Sequence, residues 1–188
     1  MKTVNIIILS LSIIISSCTN SKKSEKLVEQ QVEVTNTHSQ AKFGIFNDIP
    51  KLLTLLSQNG IGQLSKWKSD EMGGFMSITD YFPFGDPSEV NGMQNNLAYY
   101  LESDNEKYVK TLKLVLNINN KIQNKQALSK LKEKINKTFK SLSIMTPDGL
   151  YSSLKNEKDT QFDNEQYKVE LKSDISNIVT WTILIETN

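Results

Sequence analysis

The chain has 188 residues, of which 38% are hydrophobic and 23% are charged, a size and balance typical of one globular domain with short additional segments. All 22 basic residues are lysines, so the chain lacks the bidentate forks with which arginine grips phosphate and carboxylate groups. Without residues 1–17, 21 lysines stand against 21 carboxylates, interspersed along the sequence. Composition therefore argues against a nucleic-acid partner and against electrostatic attachment to an anionic membrane surface.

The first 17 residues have the pattern of a secretory signal. Lys2 supplies a short positive region, and an apolar stretch runs from Val4 to Ile15. About 12 apolar residues are too few to cross a bilayer, which takes roughly 20. We therefore predict that residues 1–17 form a signal peptide rather than a transmembrane helix.

The cleavage region Ile15-Ser16-Ser17-Cys18 resembles the lipobox of bacterial lipoproteins, in which a branched apolar residue and two small residues precede the modified cysteine. The resemblance implies a diacylglyceryl group on Cys18, cleavage before it and acylation of the new amine, so that acyl chains such as palmitate anchor the protein. Because Cys18 is the only cysteine, an acylated chain forms no intramolecular disulfide. In the enteric-type sorting rule an aspartate after the cysteine favours the inner membrane; Thr19 therefore favours the outer membrane, with the domain facing the periplasm or the exterior.

Residues 18–42 are predicted to be the lipidated cysteine and a flexible tether, because the segment is polar and has few bulky side chains. Its 24 residues after the cysteine reach about 27 Å as a flexible coil, although the piece KLVEQQVEV could dock as an edge strand or a short helix. His38, the only histidine, has no metal-ligand companion at helical or hairpin spacing. We expect no metal and no cofactor, and we assign residues 43–188 to a single globular domain.

The domain begins with the helical pattern NDIPKLLTLLSQNG, in which Asn47 or Asp48 can cap the start and Gly60 can end the helix. Its predicted buried stripe consists of Ile49, Leu52, Leu53 and Leu56. A shorter helical continuation is predicted to bury Ile61, Leu64 and Trp67.

The pattern then alternates with period two, which predicts strands. An early strand is expected in GFMSITDYF, followed by a hairpin of NLAYYLE and KYVKTLKLVLNIN joined by SDNE. A second hairpin is expected from YKVELK and IVTWTILIE, joined by residues 173–177. The predicted inward residues are Leu97, Tyr99, Leu101, Tyr108, Leu112, Leu114, Leu116, Ile118, Tyr167, Val169, Leu171, Val179, Trp181, Ile183 and Ile185.

Two helices are predicted between these strand groups. KQALSKLKEKINKTFKSLSI repeats Leu128, Leu131, Ile135, Phe139 and Leu142 at steps of three and four, with lysines on the other face. We interpret the lysine face as a solvent surface, because Glu133 interrupts it and arginine is absent. TPDGLYSSLKN offers Thr146 as a cap and Pro147 as the first residue of a second, short helix.

This order of elements predicts an α+β fold, with an antiparallel sheet of about five strands and two or three helices packed on one of its faces. The sequence of the domain itself resembles no family that we recognise.

The sequence offers little chemistry for catalysis. Histidine and thiol catalysis are excluded for the acylated domain, and the densest set of carboxylates is Asp70, Glu71, Asp80, Asp86 and Glu89. Their spacing matches no calcium loop or glycosidase signature, so we name no catalytic residue. A carboxylate-dependent hydrolase of envelope glycans or peptides is kept as an alternative.

The segment TDYFPFGDPSEVNGM groups Tyr81, Phe82 and Phe84 around Pro83 in a loop-like composition. Aromatic side chains on a rigid loop are good anchors for a partner, although they could also plug the sheet edge. We therefore predict a membrane-tethered, non-enzymatic binding module that recognises another protein. In size and anchoring it resembles the immunity proteins that neutralise secreted toxins; an accessory subunit of an envelope complex is the other alternative.

Overall fold

A computed structural model describes residues 40–188. The predicted signal peptide, Cys18 and the predicted tether up to residue 39, including His38, lie outside the described residues. The described chain is mixed α and β, with an antiparallel sheet of eight strands and three α-helices. In chain order the elements are a 3₁₀ turn at Gly44–Asn47, α1 (Ile49–Ser57), β1 (Lys68–Ser69), β2 (Phe75–Ile78), β3 (Phe82–Phe84), β4 (Asn95–Ser103), β5 (Thr111–Ile118), a second 3₁₀ turn at Lys121–Gln123, α2 (Asn124–Leu142), α3 (Leu150–Lys155), β6 (Thr160–Asp163), β7 (Tyr167–Ile175) and β8 (Val179–Thr187).

The strands are ordered β1-β2-β4-β5-β8-β7-β6, and β3 pairs with β4 beside β2. All neighbouring pairs are antiparallel. Strands β2 and β3 divide the one strand that the sequence predicts in this region, because Thr79 interrupts the pairing with β4. The Thr79 hydroxyl accepts a hydrogen bond from the Tyr99 amide at 3.0 Å, and the Thr79 amide donates to the Tyr99 carbonyl at 3.1 Å.

The core lies on one face of the sheet. In β5 the residues alternate between buried and half-buried, with Leu112, Leu114 and Leu116 at most 1% exposed. They join Leu97 and Tyr99 of β4 and the inward side chains of β7 and β8 in one cluster with the buried side chains of the helices. The inward faces predicted for these strands are confirmed.

The first two helices form for the reasons that the sequence indicates. The Asp48 carboxylate caps α1 by accepting from the Lys51 amide at 3.2 Å, with Pro50 in the first turn. Leu52 and Leu56 are fully buried. In α2 the predicted stripe is buried from Leu131 to Leu142, and Leu128 is half-buried at its margin.

The sheet is larger than the predicted five strands. Strands β1 and β6 have only two and four residues and no clear apolar alternation, so their extended conformation is set by pairing with β2 and β7 rather than by local sequence. Strand β7 also extends to Ile175, which pairs with Val179, so the turn of the last hairpin is shorter than predicted.

Two predicted helical features are wrong. The chain after Gln58 does not continue as a helix, because Gly60 and Gly62 have φ values of 70° and 147°, which are outside the right-handed helical region. Ile61 and Leu64 are nevertheless buried. The short helix α3 begins at Leu150 rather than at Pro147, because Gly149 before it is left-handed with a φ of 84°.

A buried lysine connects α2 to the loop after α1. Lys134 is 3% exposed, and its ammonium donates to the carbonyls of Asn59 and Gly60 at 3.0 and 2.9 Å. Burial lowers the pKa of Lys134. Beside it, the Asn59 amide donates to the Tyr99 hydroxyl at 3.2 Å, and that hydroxyl also bonds to Thr138 of α2. This polar network holds α2 in one rotational position above the sheet.

The two faces of β5 predict different costs for truncation. Leu114→Ala is expected to lower the free energy of unfolding by about 2–5 kcal/mol, because it leaves a cavity in the core. Its neighbour Val115 points to the other face and is half-buried, so Val115→Ala is expected to cost about 1 kcal/mol. Urea unfolding of both variants measures the difference, and equal losses would contradict a core confined to one face.

Candidate functional site

The candidate site is the face of the sheet that points away from the helices, called the open face below. Its side chains come from the alternate positions of β2, β4, β5, β8 and β7 and from the residue before β3, and none of them belongs to the core cluster. Among the described residues, the helices pack on the other side of the sheet. Antiparallel sheets commonly leave one face to water, and such a face is normally polar.

The centre of the open face instead carries several apolar and aromatic side chains, with Lys113 and Thr182 among them. Opposite each other across β4 and β5 lie Ala98 and Val115, and Tyr100 lies in the next row between Ile78 and Lys113. Leu184 of β8 follows Lys113 in the same row. With Tyr81, these residues form what we call the open-face patch: Ile78, Tyr81, Ala98, Tyr100, Val115 and Leu184.

Two tyrosines stand at one end of the open-face patch. Tyr81 is 61% exposed, and its hydroxyl lies 3.5 Å from that of Tyr100, which is half-buried. Burial, followed by the hydrogen bond with Tyr81, raises the pKa of Tyr100 to about 12. Tyr100 therefore presents a neutral phenol, and both tyrosines combine apolar area with a hydrogen-bonding group. Beside Ile78 opens a cavity of about 480 Å³ that is lined by Leu64, Met76 and Asp80, among others.

Ion pairs lie within the patch and along one side of it. Lys113, which lies between Tyr100 and Leu184, bonds Glu102 at 2.6 Å. On the outer strands, Lys168 bonds both Glu170 and Glu186 at 2.9 Å, and Lys172 also pairs with Glu170. Hydrogen bonds from Lys172 and then Lys168 lower the pKa of Glu170 despite its burial. These lysines and glutamates are thus paired with one another within the sheet, whereas Asp163, opposite Lys168, is exposed.

The other side of the patch carries uncharged polar groups of β4, β5 and β8, beside the exposed Asp174 of β7. The Asn117 amide donates to the Asn96 side-chain carbonyl at 2.9 Å, and the Thr180 hydroxyl donates to the Asn117 carbonyl at 3.1 Å. The open face therefore has a largely apolar centre that contains Lys113, with ion pairs on one side and amide groups and Asp174 on the other. Protein-protein interfaces commonly have an apolar centre surrounded by a polar rim.

The predicted aromatic anchors divide between the two faces of the sheet. Phe82 pairs in register with Leu97 and Phe84 with Asn95, and both phenylalanines are half-buried and pack against the core. Tyr81, which precedes them, is exposed beside Tyr100. The structure thus brings Tyr81 to the open-face patch and uses Phe82 and Phe84 to hold the edge strand that carries it.

The carboxylates of the hydrolase alternative are spread over three loops and strand ends. Asp70 accepts the amides of Met72 and Gly74 at 2.9 and 2.8 Å and shapes the turn between β1 and β2. Asp86 is bonded by the Gln123 amide at 2.7 Å, and Asp80 and Glu89 are exposed. Within residues 40–188, no three histidine, cysteine, aspartate or glutamate side chains are grouped to hold a metal ion.

Sequence reasoning missed Tyr100, Val115 and Leu184. The signal was present, because these residues occupy the outward positions of strands whose inward positions are also apolar. A strand with one wet face carries polar residues there, so apolar outward residues indicate a second buried surface.

Two further findings bear on the class of protein. In the part of the chain that the structure covers, no helix has the length and apolar character needed to span a bilayer. No protein-family model, no curated protein and no solved structure matches the chain.

The charged margin predicts a pH-dependent contribution to stability. Because the pKa of Glu170 is lowered in the folded state, its stabilising contribution is complete above the unfolded pKa of about 4.5 and is lost as the pH falls below it. Glu170→Gln is expected to lower the free energy of unfolding by about 1 kcal/mol at pH 7. The difference from the parent protein should shrink between pH 4.5 and pH 3.

Urea titrations at several pH values measure this difference. Glu165→Gln is the matched control, since it makes the same change at an exposed residue of the preceding turn. A Glu170→Gln difference that stays constant down to pH 3 would contradict the role of the lysine pairs.

Proposed function

We propose that this protein is a lipid-anchored envelope protein whose open face binds another protein, with no catalytic role. The observation that supports the proposal is the apolar and aromatic centre on a sheet face that the described helices leave uncovered. Such a surface costs free energy in water, because apolar area stays hydrated. Burial against a partner removes this cost.

The chemistry of the open face favours a partner surface that is itself apolar and uncharged at its centre. Glu102 and Lys113 are paired with each other, and Glu170 is paired with two lysines. A partner charge placed on the patch would lose its hydration without gaining a counter-ion. At the rim, hydrogen bonds from asparagine and threonine side chains would set the orientation of the partner.

Tyr81 and Tyr100 are the proposed anchors of this contact. Tyrosine is enriched among residues that dominate interface energies, because a rigid ring buries much area at little entropic cost. Phe82 and Phe84 support the contact by fixing the edge strand. The size and the predicted anchoring resemble those of immunity proteins, which makes a secreted toxin the partner class to test first.

Site-specific crosslinking in intact cells tests this function. With benzoylphenylalanine in place of Tyr81, we expect one defined crosslinked protein, which mass spectrometry identifies. The same amino acid in place of Met72, an exposed residue of the turn between β1 and β2, should give no such product. With the identified partner purified, Tyr81→Ser is expected to raise the Kd at least about tenfold.

A matched pair of valines separates binding from folding. Val115→Asp places a charge in the open-face patch, whereas Val90→Asp makes the same change in an exposed loop. Binding should be lost in the first variant and kept in the second, with circular dichroism showing that both are folded. A partner that binds both equally would refute the open face as the binding surface.

Lipid anchoring through Cys18 is tested by the mass of the mature protein. We expect a chain that begins at Cys18 and carries the mass of a diacylglyceryl group, with or without a third acyl chain. Globomycin should cause an uncleaved, membrane-bound precursor to accumulate, and Cys18→Ala should abolish lipid attachment. An unmodified thiol with the leader still attached would rule out the envelope assignment.

A further inference from the structure

The carboxylates of the folded chain are unevenly divided between two parts of the molecule, whereas the lysines are divided equally. Residues 119–158, which form the second 3₁₀ turn, α2 and α3, contain nine lysines and three carboxylates. The other described residues contain nine lysines and fifteen carboxylates. Residues 119–158 therefore carry a side-chain charge of +6, and the other described residues carry −6. The net charge of the described residues is zero, but positive and negative charge are separated.

Helix α2 directs most of its charge away from the sheet. Its core side is buried, and Lys125, Lys132 and Lys140 are exposed on the outer side. Glu133 is the one carboxylate of α2, and it is engaged by Lys130 at 2.9 Å and by Lys137 at 3.1 Å. Among the described residues, no carboxylate lies within salt-bridge distance of Lys125, Lys132 or Lys140.

Large apolar side chains are exposed at both ends of the same helix. Ile122, in the turn that leads into α2, is 87% exposed, and Met145, three residues after its end, is 88% exposed. The 19 residues of α2 span about 28 Å. A lysine face of this length between two exposed apolar side chains resembles, in its chemistry, a helix that lies at a membrane interface.

We propose that the outer face of α2, with Lys125, Lys132, Lys140, Ile122 and Met145, docks flat on the anionic headgroups of a phospholipid bilayer. Each lysine near such a surface strengthens binding about fivefold, and Ile122 and Met145 enter the boundary of the acyl chains. The acidic remainder of the molecule is repelled, so only one orientation is favoured. The open face, on the other side of the sheet, then points away from the bilayer.

The observations favour a lipid surface over a nucleic acid. The negative charge of an anionic bilayer is spread over its surface, and separate lysine ammonium groups suit such a surface. Recognition of phosphodiesters favours arginine instead, which the chain lacks. Exposed Ile122 and Met145 gain nothing from a phosphate backbone. The inference goes beyond the proposed function and holds whether or not Cys18 is acylated.

Vesicle sedimentation tests the docking with a chain from residue 18 onward that carries Cys18→Ser, so that neither leader nor acyl chain contributes. This chain keeps all of residues 40–188, which contain the sheet and core that the structure describes. We expect binding to phosphatidylcholine vesicles with about a third phosphatidylglycerol, and weak binding to phosphatidylcholine alone. Binding should fall as salt is raised.

The triple variant Lys125→Gln, Lys132→Gln, Lys140→Gln should lower the partition coefficient about a hundredfold. The control variant Lys66→Gln, Lys68→Gln, Lys107→Gln removes three exposed lysines from the strand side and should bind within about threefold of the parent protein. Circular dichroism checks the fold of both variants.

Three outcomes would overturn the proposal. They are equal losses in the two triple variants, no preference for anionic vesicles, and binding to heparin or DNA that is tighter than binding to vesicles. The last outcome would assign the same face to a soluble polyanion. Loss of vesicle binding with intact partner binding would separate this face from the proposed function of the open face.

Discussion

The fold depends on the pleat of the central strands, which sends alternate side chains to opposite faces of the sheet. Because Leu112, Leu114 and Leu116 bury against the helices, the register of β5 is fixed, and a slip by one residue would place Lys113 and Asn117 in the core. The same constraint fixes Val115 on the open face. The candidate binding surface is therefore a consequence of the core and needs no separate structural element.

A second constraint sets the rotation of α2. Hydrophobic burial alone allows a helix to rotate about its own axis by some degrees, because a broad apolar stripe stays buried through a small rotation. Two polar contacts of α2 remove that freedom. Lys134 donates to the carbonyls of Asn59 and Gly60, and Thr138 bonds to Tyr99. A rotation of the helix would break these contacts and leave buried polar groups unpaired, which is costly. With these contacts made, Lys125, Lys132 and Lys140 face outward.

Local sequence was sufficient for the long elements. Strands β4, β5, β7 and β8 and helices α1 and α2 each repeat an apolar period over several turns or pleats, so their type and inward faces were predictable. Strands β1 and β6 were not predictable, because two and four residues are too few to show an apolar period. Their extended conformation comes from pairing with a neighbouring strand. The break at Thr79 depends on a hydrogen bond to Tyr99, twenty residues away, which no local pattern indicates. For the same reason Tyr81 could be singled out from the local sequence as an aromatic candidate, whereas its neighbour Tyr100 required the register of β4.

The net charge of the sequence does not describe the charge of the individual surfaces of the folded domain. Lysines and carboxylates alternate often enough that no long run has one sign, and the total is close to zero. A membrane or a partner responds, however, to the charges on the surface that it contacts, within about a Debye length of 8–10 Å. Strands β4, β5, β7 and β8 present several of their charges as lysine–glutamate pairs, whereas α2 presents lysines that its single glutamate cannot neutralise. The proposed protein-binding face and the proposed bilayer face lie on opposite sides of the sheet, so the two proposed contacts do not compete for the same surface.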